Sequence, residues 1–153
     1  MDLNTINAII SKAFYKPDSE KIAVGKYDDK TVGITVDRFV AYFIPVEDFI
    51  FDSAKISHYK ESVDWKRVIP TEDLEDAVRT NELIKRDKNI LTVFKCKNVE
   101  VFVDEKFLKP FGKNLTYKIK IKNLKYPGVL IYENEILVGY VLPVKYSREK
   151  ENN

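Results

Sequence analysis

The sequence predicts an α+β protein built from two similar units, each a short helix followed by three antiparallel strands. Residues 3–45 and 104–144 share this order of one apolar-striped segment and three short strand-like runs. The runs are rich in β-branched and aromatic residues and end in Asp, Asn or Pro breaks, which is typical of antiparallel hairpins. Hydrophobic residues make up 44% of the 153 residues, enough to supply one sizeable core.

The first unit begins with a helix. Apolar residues recur at three-and-four spacing over Leu3–Phe14, and Pro17 ends that pattern. Strands are predicted over Lys21–Tyr27, Thr31–Val36 and Phe39–Ile44, with Asp-rich turns between them.

The middle of the chain is less regular. Asp48–Asp52 has the composition of a further strand. Thr71 is a plausible helix N-cap, because acidic residues follow it and basic residues come about four turns later, at Lys85–Lys88. The apolar stripe between them is thin, so the pattern fits either a surface helix or a mobile connection.

The second unit is preceded by a hairpin, Ile90–Lys95 and Val99–Val103. A second short helix is predicted over Asp104–Gly112, which Pro110 must shorten or kink. Its three strands are Thr116–Lys122, Gly128–Tyr132 and Ile136–Pro143. Two such units are expected to give two antiparallel sheets with both helices on one side. Residues 1–146 then form a single domain, and the polar residues 147–153 form a flexible tail.

Single-copy residues exclude several chemistries. One cysteine, Cys96, excludes an intrachain disulfide, and one histidine, His58, excludes a two-histidine metal motif. Nothing in the sequence places Cys96 beside His58, and the five glycines are too scattered for a phosphate loop. No catalytic residue, metal or cofactor is therefore predicted. The absence of a signal-peptide pattern and of a long apolar run favours a soluble cytoplasmic protein.

Charge is unevenly distributed. Residues 95–126 hold nine lysines against three acidic residues, a net charge of +6, so the rest carries −4 within a total of +2. Lysines without arginines suit loose, sequence-independent phosphate contact. A solvated face that also protects strand edges is the simpler interpretation.

Three segments resemble a domain of the bacterial sliding clamp, the β subunit of the replicative polymerase. Val99–Leu108 is similar to the clamp strand that runs straight into a helix, Gly128–Ile131 to its penultimate strand, and Tyr140–Lys145 to its terminal strand. Asp64–Pro70 resembles a connecting segment more weakly. The resemblance covers residues 99–146 in some detail, and residues 1–45 only in their order of elements.

The resemblance implies a DNA clamp-like fold and a non-enzymatic module of DNA replication or repair. Loose, salt-dependent DNA contact is implied for Lys12, Lys16, Lys106, Lys109 and Lys113. A groove for peptides of replication proteins is implied for Leu142, Pro143, Val144, Lys145 and Tyr146. The chain holds one clamp-like domain, so a ring would require self-association. The alternative is a protein–protein interaction module without DNA binding or ring formation, and no membrane contact is expected in either case.

Overall fold

The computed structural model describes residues 1–15, 23–35, 37–49 and 63–148. Within these ranges the chain forms one nine-stranded antiparallel sheet and two α-helices, α1 over Leu3–Tyr15 and α2 over Trp65–Val68. The strands are β1 Ala23–Asp28, β2 Thr31–Thr35, β3 Val40–Pro45, β4 Glu75–Arg86, β5 Asn89–Cys96, β6 Val99–Asp104, β7 Leu115–Ile119, β8 Val129–Glu133 and β9 Ile136–Val141. Their order across the sheet is β1-β2-β3-β9-β8-β7-β4-β5-β6.

The first predicted helix and eight of the predicted strands are confirmed. They form because the apolar patterning and turn residues of each segment agree with the strand pairing that the whole chain adopts. Two-residue turns close four of the hairpins, and in three of them a turn residue has a positive φ: 52° at Asp87, 51° at Lys97 and 50° at Asn134. Such left-handed turn residues match the twist of the flanking strands.

The predicted fold class, a clamp-like α+β domain of two repeated units, is wrong. The two groups of strands form a single sheet instead of two, because β3 pairs directly with β9, with Val40 opposite Val141. The predicted second helix over Asp104–Gly112 is only a 3-10 turn, Glu105–Phe107. The Asp104 carboxylate accepts the amide of Lys106 at 3.1 Å, and Pro110 has no amide hydrogen to continue a helix.

The helix considered over residues 71–88 is also wrong, because the segment contains the long strand β4. Pairing with β5 overrides its helix-like composition, since Arg86 lies opposite Asn89 and Val78 opposite Lys95. Two extra residues bulge from β4 between these pairs. The Thr80 hydroxyl spans this irregularity by donating to the carbonyl of Val93 at 2.8 Å.

Two further segments differ from expectation. A strand is predicted over Asp48–Asp52, but Asp48 ends a 3-10 turn that begins at Val46, and the buried Phe49 follows it outside any strand. Residues 50–52 of that prediction lie outside the described ranges. The short helix α2 has no counterpart among the predicted elements. It forms where the buried Trp65 anchors the chain, with the amide of Ile69 donating to the Trp65 carbonyl at 3.0 Å.

The main core lies between α1 and one face of the sheet, here called the inner face. Ile6, Ile9 and Ile10 of α1 are buried there, at the spacing that gives a helix one apolar stripe. Every strand contributes to this core. Its buried strand residues are Val24, Ile34, Val40, Tyr42, Ile44, Ala77, Phe94, Cys96, Val101, Val103, Ile119, Val129, Ile131 and Val141.

The sheet curls strongly. In the strand order β6 lies six positions from β3, roughly 29 Å at about 4.8 Å per strand in a flat sheet. Yet Phe107, three residues after β6, stacks on Phe39, one residue before β3, with ring centroids 5.7 Å apart. The amide of Val144, three residues after β9, donates to the carbonyl of Phe102 in β6 at 2.7 Å. The free edge of β6 is therefore brought round to the chain that leaves β9.

Two smaller clusters cover the opposite, outer face. The Trp65 cluster contains Ala41, Phe43, Trp65, Ile69 and Leu130. The second cluster contains Leu91, Val93 and Phe102, and it is covered by Val144 and Tyr146. Residues 142–148 are here called the C-terminal strap, which packs over the outer face of β5 and β6 through Val144 and Tyr146.

Arg148 fastens the end of the strap. Its Nε donates to Glu100 at 2.8 Å, and its Nη2 donates to Glu82 at 2.8 Å. The guanidinium therefore joins β4 to β6 with the planar geometry that suits carboxylate binding. These hydrogen bonds lower the pKa of Glu82 and raise that of Arg148.

We expect the strap to loosen in acid. Because the pKa of Glu82 is lowered in the folded state, its stabilising effect is present above the ordinary value of 4.5 and is lost as the pH falls through the lowered value. Hydrogen exchange at the Val144 amide, corrected for its intrinsic rate, should therefore keep its protection near neutral pH and lose part of it as the pH falls below 4.5. Arg148→Met should weaken the protection and remove its acid dependence, and Arg67→Met, which alters an exposed ion pair with Asp64, should change neither. Unchanged protection in Arg148→Met would contradict this role.

Candidate functional site

An apolar groove lies on the outer face, where β3 begins and β9 ends. It is here called the Leu142 groove, and its volume is about 290 Å³. Three of its large apolar side chains are unusually exposed: Phe39 at 54%, Val68 at 55% and Leu142 at 40%. Its lining residues are Ala23, Thr35, Arg38, Phe39, Val40, Ala41, Val63, Trp65, Val68, Tyr140 and Leu142.

Local hydrogen bonds hold the exposed residues of the groove in place. The Asp37 carboxylate accepts the amides of Phe39 and Val40 at 2.8 and 3.1 Å, which fixes the chain entering β3. The amide of Leu142 donates to the carbonyl of Phe39 at 2.8 Å, so these two apolar residues are adjacent. The groove is therefore bordered by backbone that is already paired, and its shape does not depend on a ligand.

Trp65 forms the floor of the groove. Its indole Nε1 donates to the carbonyl of Gly33 at 3.0 Å, and its ring packs edge-on against Phe43 with centroids 5.7 Å apart. Because Trp65 and Ile69 are buried, the intervening Val68 points outward from α2 into the groove.

Polar chemistry in the groove is sparse. Arg38 is the only charged residue among the described residues that line it. Burial raises the pKa of Tyr140, so this phenol remains neutral at ordinary pH. Among the described lining residues, the groove is therefore apolar apart from Arg38 at its rim and the hydroxyls of Thr35 and Tyr140.

The structure separates the five residues predicted to bind a partner. Leu142 lines the groove. Val144 and Tyr146 point from the strap toward the sheet, where the Tyr146 ring packs on Phe102 with centroids 4.8 Å apart. Pro143 is half-buried, and Lys145 is exposed with its carbonyl accepting from Arg86 at 3.1 Å. Only Leu142 is thus placed to contact a ligand in this groove.

The structure describes four of the five lysines predicted to contact DNA. Lys106, Lys109 and Lys113 are exposed on the connection between β6 and β7, and Lys106 is partly neutralised by Asp104 at 3.5 Å. Lys12 is exposed in the last turn of α1, and Lys16 lies outside the described residues.

The beginning of α1 lies beside Lys113. The amino group of Met1 contacts the Glu133 carboxylate at 2.6 Å, and a Cβ on Gly112 would lie 3.9 Å from the same carboxylate. Lys12 is about 14 Å farther along the helix than Leu3, at roughly 1.5 Å per residue. Lys12 and Lys113 are therefore at opposite ends of α1.

Two other lysines, Lys125 and Lys145, converge on the ring of Tyr126, although they are far apart in sequence. The ammonium groups of Lys125 and Lys145 lie 5.6 and 5.3 Å from the centroid of the Tyr126 ring. Lys120 and Lys122 belong to the same chain segment after β7. We call Lys120, Lys122, Lys125, Tyr126 and Lys145 the Tyr126 patch. The acid-free stretch around residue 120 is visible in the sequence, but the approach of Lys145 depends on the fold.

The described residues contain no cluster of three or more acidic, histidine or cysteine side chains able to hold a metal ion. Cys96 is buried in the inner core, and burial together with the nearby Glu75 raises the pKa of its thiol. A buried, protonated thiol is a poor nucleophile. His58 lies outside the described residues, so its position relative to Cys96 is a prediction only. Among the described residues, no helix is long and apolar enough to span a membrane.

Comparison with known proteins identifies no relative. No protein-family model matches the sequence, and neither a curated protein nor a solved structure matches it.

Proposed function

We propose that this chain is a non-enzymatic binding module whose Leu142 groove holds a short apolar segment of a partner protein. The observation that carries the proposal is the exposure of Phe39, Val68 and Leu142 around one groove of about 290 Å³. Fully burying a large apolar side chain contributes roughly 1.5–3 kcal/mol. Covering these three side chains would therefore supply a useful part of a binding free energy.

The chemistry of the groove indicates the kind of segment. Two or three apolar side chains of a peptide would contact Phe39, Val68 and Leu142, and an acidic residue beside them would pair with Arg38. Recognition of this kind uses a few apolar anchors surrounded by weaker polar contacts. The partner class that the sequence resemblance implies, proteins of DNA replication or repair in the cytoplasm, stays a prediction.

Peptide selection tests the proposal. Peptides of about 12 residues selected on the immobilised full chain should be enriched in paired large apolar residues, with an acidic residue nearby. Binding of a selected peptide should weaken at least about tenfold in Phe39→Asp and in Leu142→Asp, measured by fluorescence anisotropy.

Leu83→Asp is the matched control, because Leu83 is also an apolar residue with 58% exposure but lies on β4 outside the groove. It should leave peptide binding within about twofold of the original chain. The fluorescence of the single tryptophan, Trp65, reports whether each variant is folded. Equal losses in all three folded variants, or selected peptides without apolar residues, would refute the groove as a peptide site.

A further inference from the structure

We propose that the Tyr126 patch binds single-stranded nucleic acid, with its lysines contacting phosphates and the tyrosine ring stacking on a base. This surface is distinct from the peptide site proposed above and does not depend on it. The inference rests on the charge, pairing and exposure of the residues that the fold brings together there.

The first observation is the absence of compensating charge. Residues 106–132 contain seven lysines and neither aspartate nor glutamate. Within the described residues, the lysines of the Tyr126 patch form no ion pair, whereas Lys95, Lys97 and Lys106 each have a carboxylate partner. The patch thus carries four positive charges that are not neutralised by direct contact.

The second observation is the position of the charges around an exposed ring. Tyr126 is 46% exposed, and two lysine ammonium groups lie within 5.6 Å of its centroid. These two groups are therefore at most about 11 Å apart, close enough for neighbouring phosphates of one strand to contact both. Displacing them toward phosphates would uncover the ring, and an exposed aromatic ring beside cations is what unpaired bases stack on.

The patch continues into a shallow cavity of about 350 Å³, which is lined by Arg67, Lys120, Leu124 and Tyr140 among others. Glu72 is the carboxylate that lines it. Arg67 is paired with Asp64 at 3.2 Å, so Lys120 is the unpaired cation among the described residues that line the cavity. The cavity therefore extends the contact surface from Tyr126 toward α2 without adding much net charge.

A single strand fits this surface better than a bilayer does. Membrane-surface binding by a basic segment requires a substantial apolar face beside the charges. In the segment from Lys120 to Tyr126, Leu124 and Tyr126 are the large apolar side chains with high exposure, at 43% and 46%. Lysines also contact phosphate without reading base edges, so no sequence preference is expected.

The test uses fluorescence anisotropy of the full chain with a labelled oligodeoxythymidine of about 12 nucleotides. Binding should be present at about 25 mM salt, and log K should fall with log salt with a slope of about −2 to −3, as expected for three or four phosphate contacts to a single strand. The double variant Lys122→Glu/Lys125→Glu should bind at least tenfold more weakly. Tyr126→Ala should weaken binding about fivefold or more, whereas Tyr126→Phe should retain it.

The control pair is Lys106→Glu/Lys109→Glu, which alters the lysines that the sequence resemblance implied. It should weaken binding by no more than about threefold in total, through the general electrostatic field. Loss of peptide binding in the Leu142 groove is not expected in any of these lysine variants, so failure of one proposal is distinguishable from failure of the other.

Several results would overturn the inference. The first is no binding of the oligonucleotide at about 25 mM salt, and the second is an equal loss of affinity in the control pair. The third is binding that Tyr126→Ala leaves unchanged and that polyphosphate inhibits as well as an unlabelled oligonucleotide does, because such binding would need only phosphate. Association with phosphatidylserine vesicles without oligonucleotide binding would assign the patch to a membrane surface instead.

Discussion

Replacing Gly33 by alanine is expected to lower the free energy of unfolding by about 3 kcal/mol. An alanine Cβ at this position would lie 2.3 Å from Nε1 of Trp65 and 2.6 Å from Cδ1, far inside van der Waals contact. The indole would have to move off β2, which would also break its hydrogen bond to the Gly33 carbonyl. The gain from a less flexible unfolded chain, roughly 0.4–1 kcal/mol, offsets only part of this loss.

Chemical denaturation followed by Trp65 emission measures this effect directly, and a lower Tm by about 10 °C should accompany it. Emission of the folded variant should shift to longer wavelength as the indole becomes more exposed. Gly112→Ala is the control, because the nearest atom to its new Cβ is 3.9 Å away. That change should stay within about 0.5 kcal/mol, and equal effects at the two glycines would contradict the close packing of Trp65 on β2.

Gly139→Ala is expected to have the second large effect, a loss of about 2–3 kcal/mol. Here the new Cβ would lie 2.2 Å from Cζ of Phe111. Phe111 is buried and packs against Tyr42 with ring centroids 5.4 Å apart, so its ring has no free space to enter. Because the clash is with the Phe111 side chain and not with backbone, a second substitution that shortens Phe111 should relieve it.

A double-mutant cycle tests that cause. Phe111→Ala alone should lower the free energy of unfolding by about 3–5 kcal/mol, because it empties a buried site. In the Phe111→Ala background, Gly139→Ala should cost less than about 0.5 kcal/mol, giving a coupling energy of roughly 2 kcal/mol. Additive effects of the two changes would show that Phe111 does not pack on β9 as described.

Much of the secondary structure is predictable because its signals are local. The apolar stripe of α1 and the alternation in strands such as β7 depend only on neighbouring residues. The segment that forms β4 shows the limit of such signals. Its acidic start and basic end are typical of a helix, yet a strand 12 residues long forms because β5 and β7 supply hydrogen-bond partners.

The arrangement of the strands in one sheet was not predictable from the repeated order of a helix and three strands. Similar units suggest two sheets, but the pairing of Val40 with Val141 depends on contacts between residues far apart in sequence. The candidate site shows the same division. Leu142 is predicted as a binding residue from the segment Tyr140–Lys145 alone. Phe39 and Val68 join it only when β3, β9 and α2 come together in the fold.

The junction of β3 with β9 also constrains how the chain reaches its native state. Residues 23–45 can form their hairpins early, because these pairings are local. The other edge of β3 has no native partner until residues 139–141 have been synthesised. During translation β3, with its buried run of Val40 to Ile44, therefore presents an apolar edge to other chains. We expect slow, late closure of the sheet, and aggregation during this interval is the main hazard for folding in the cell.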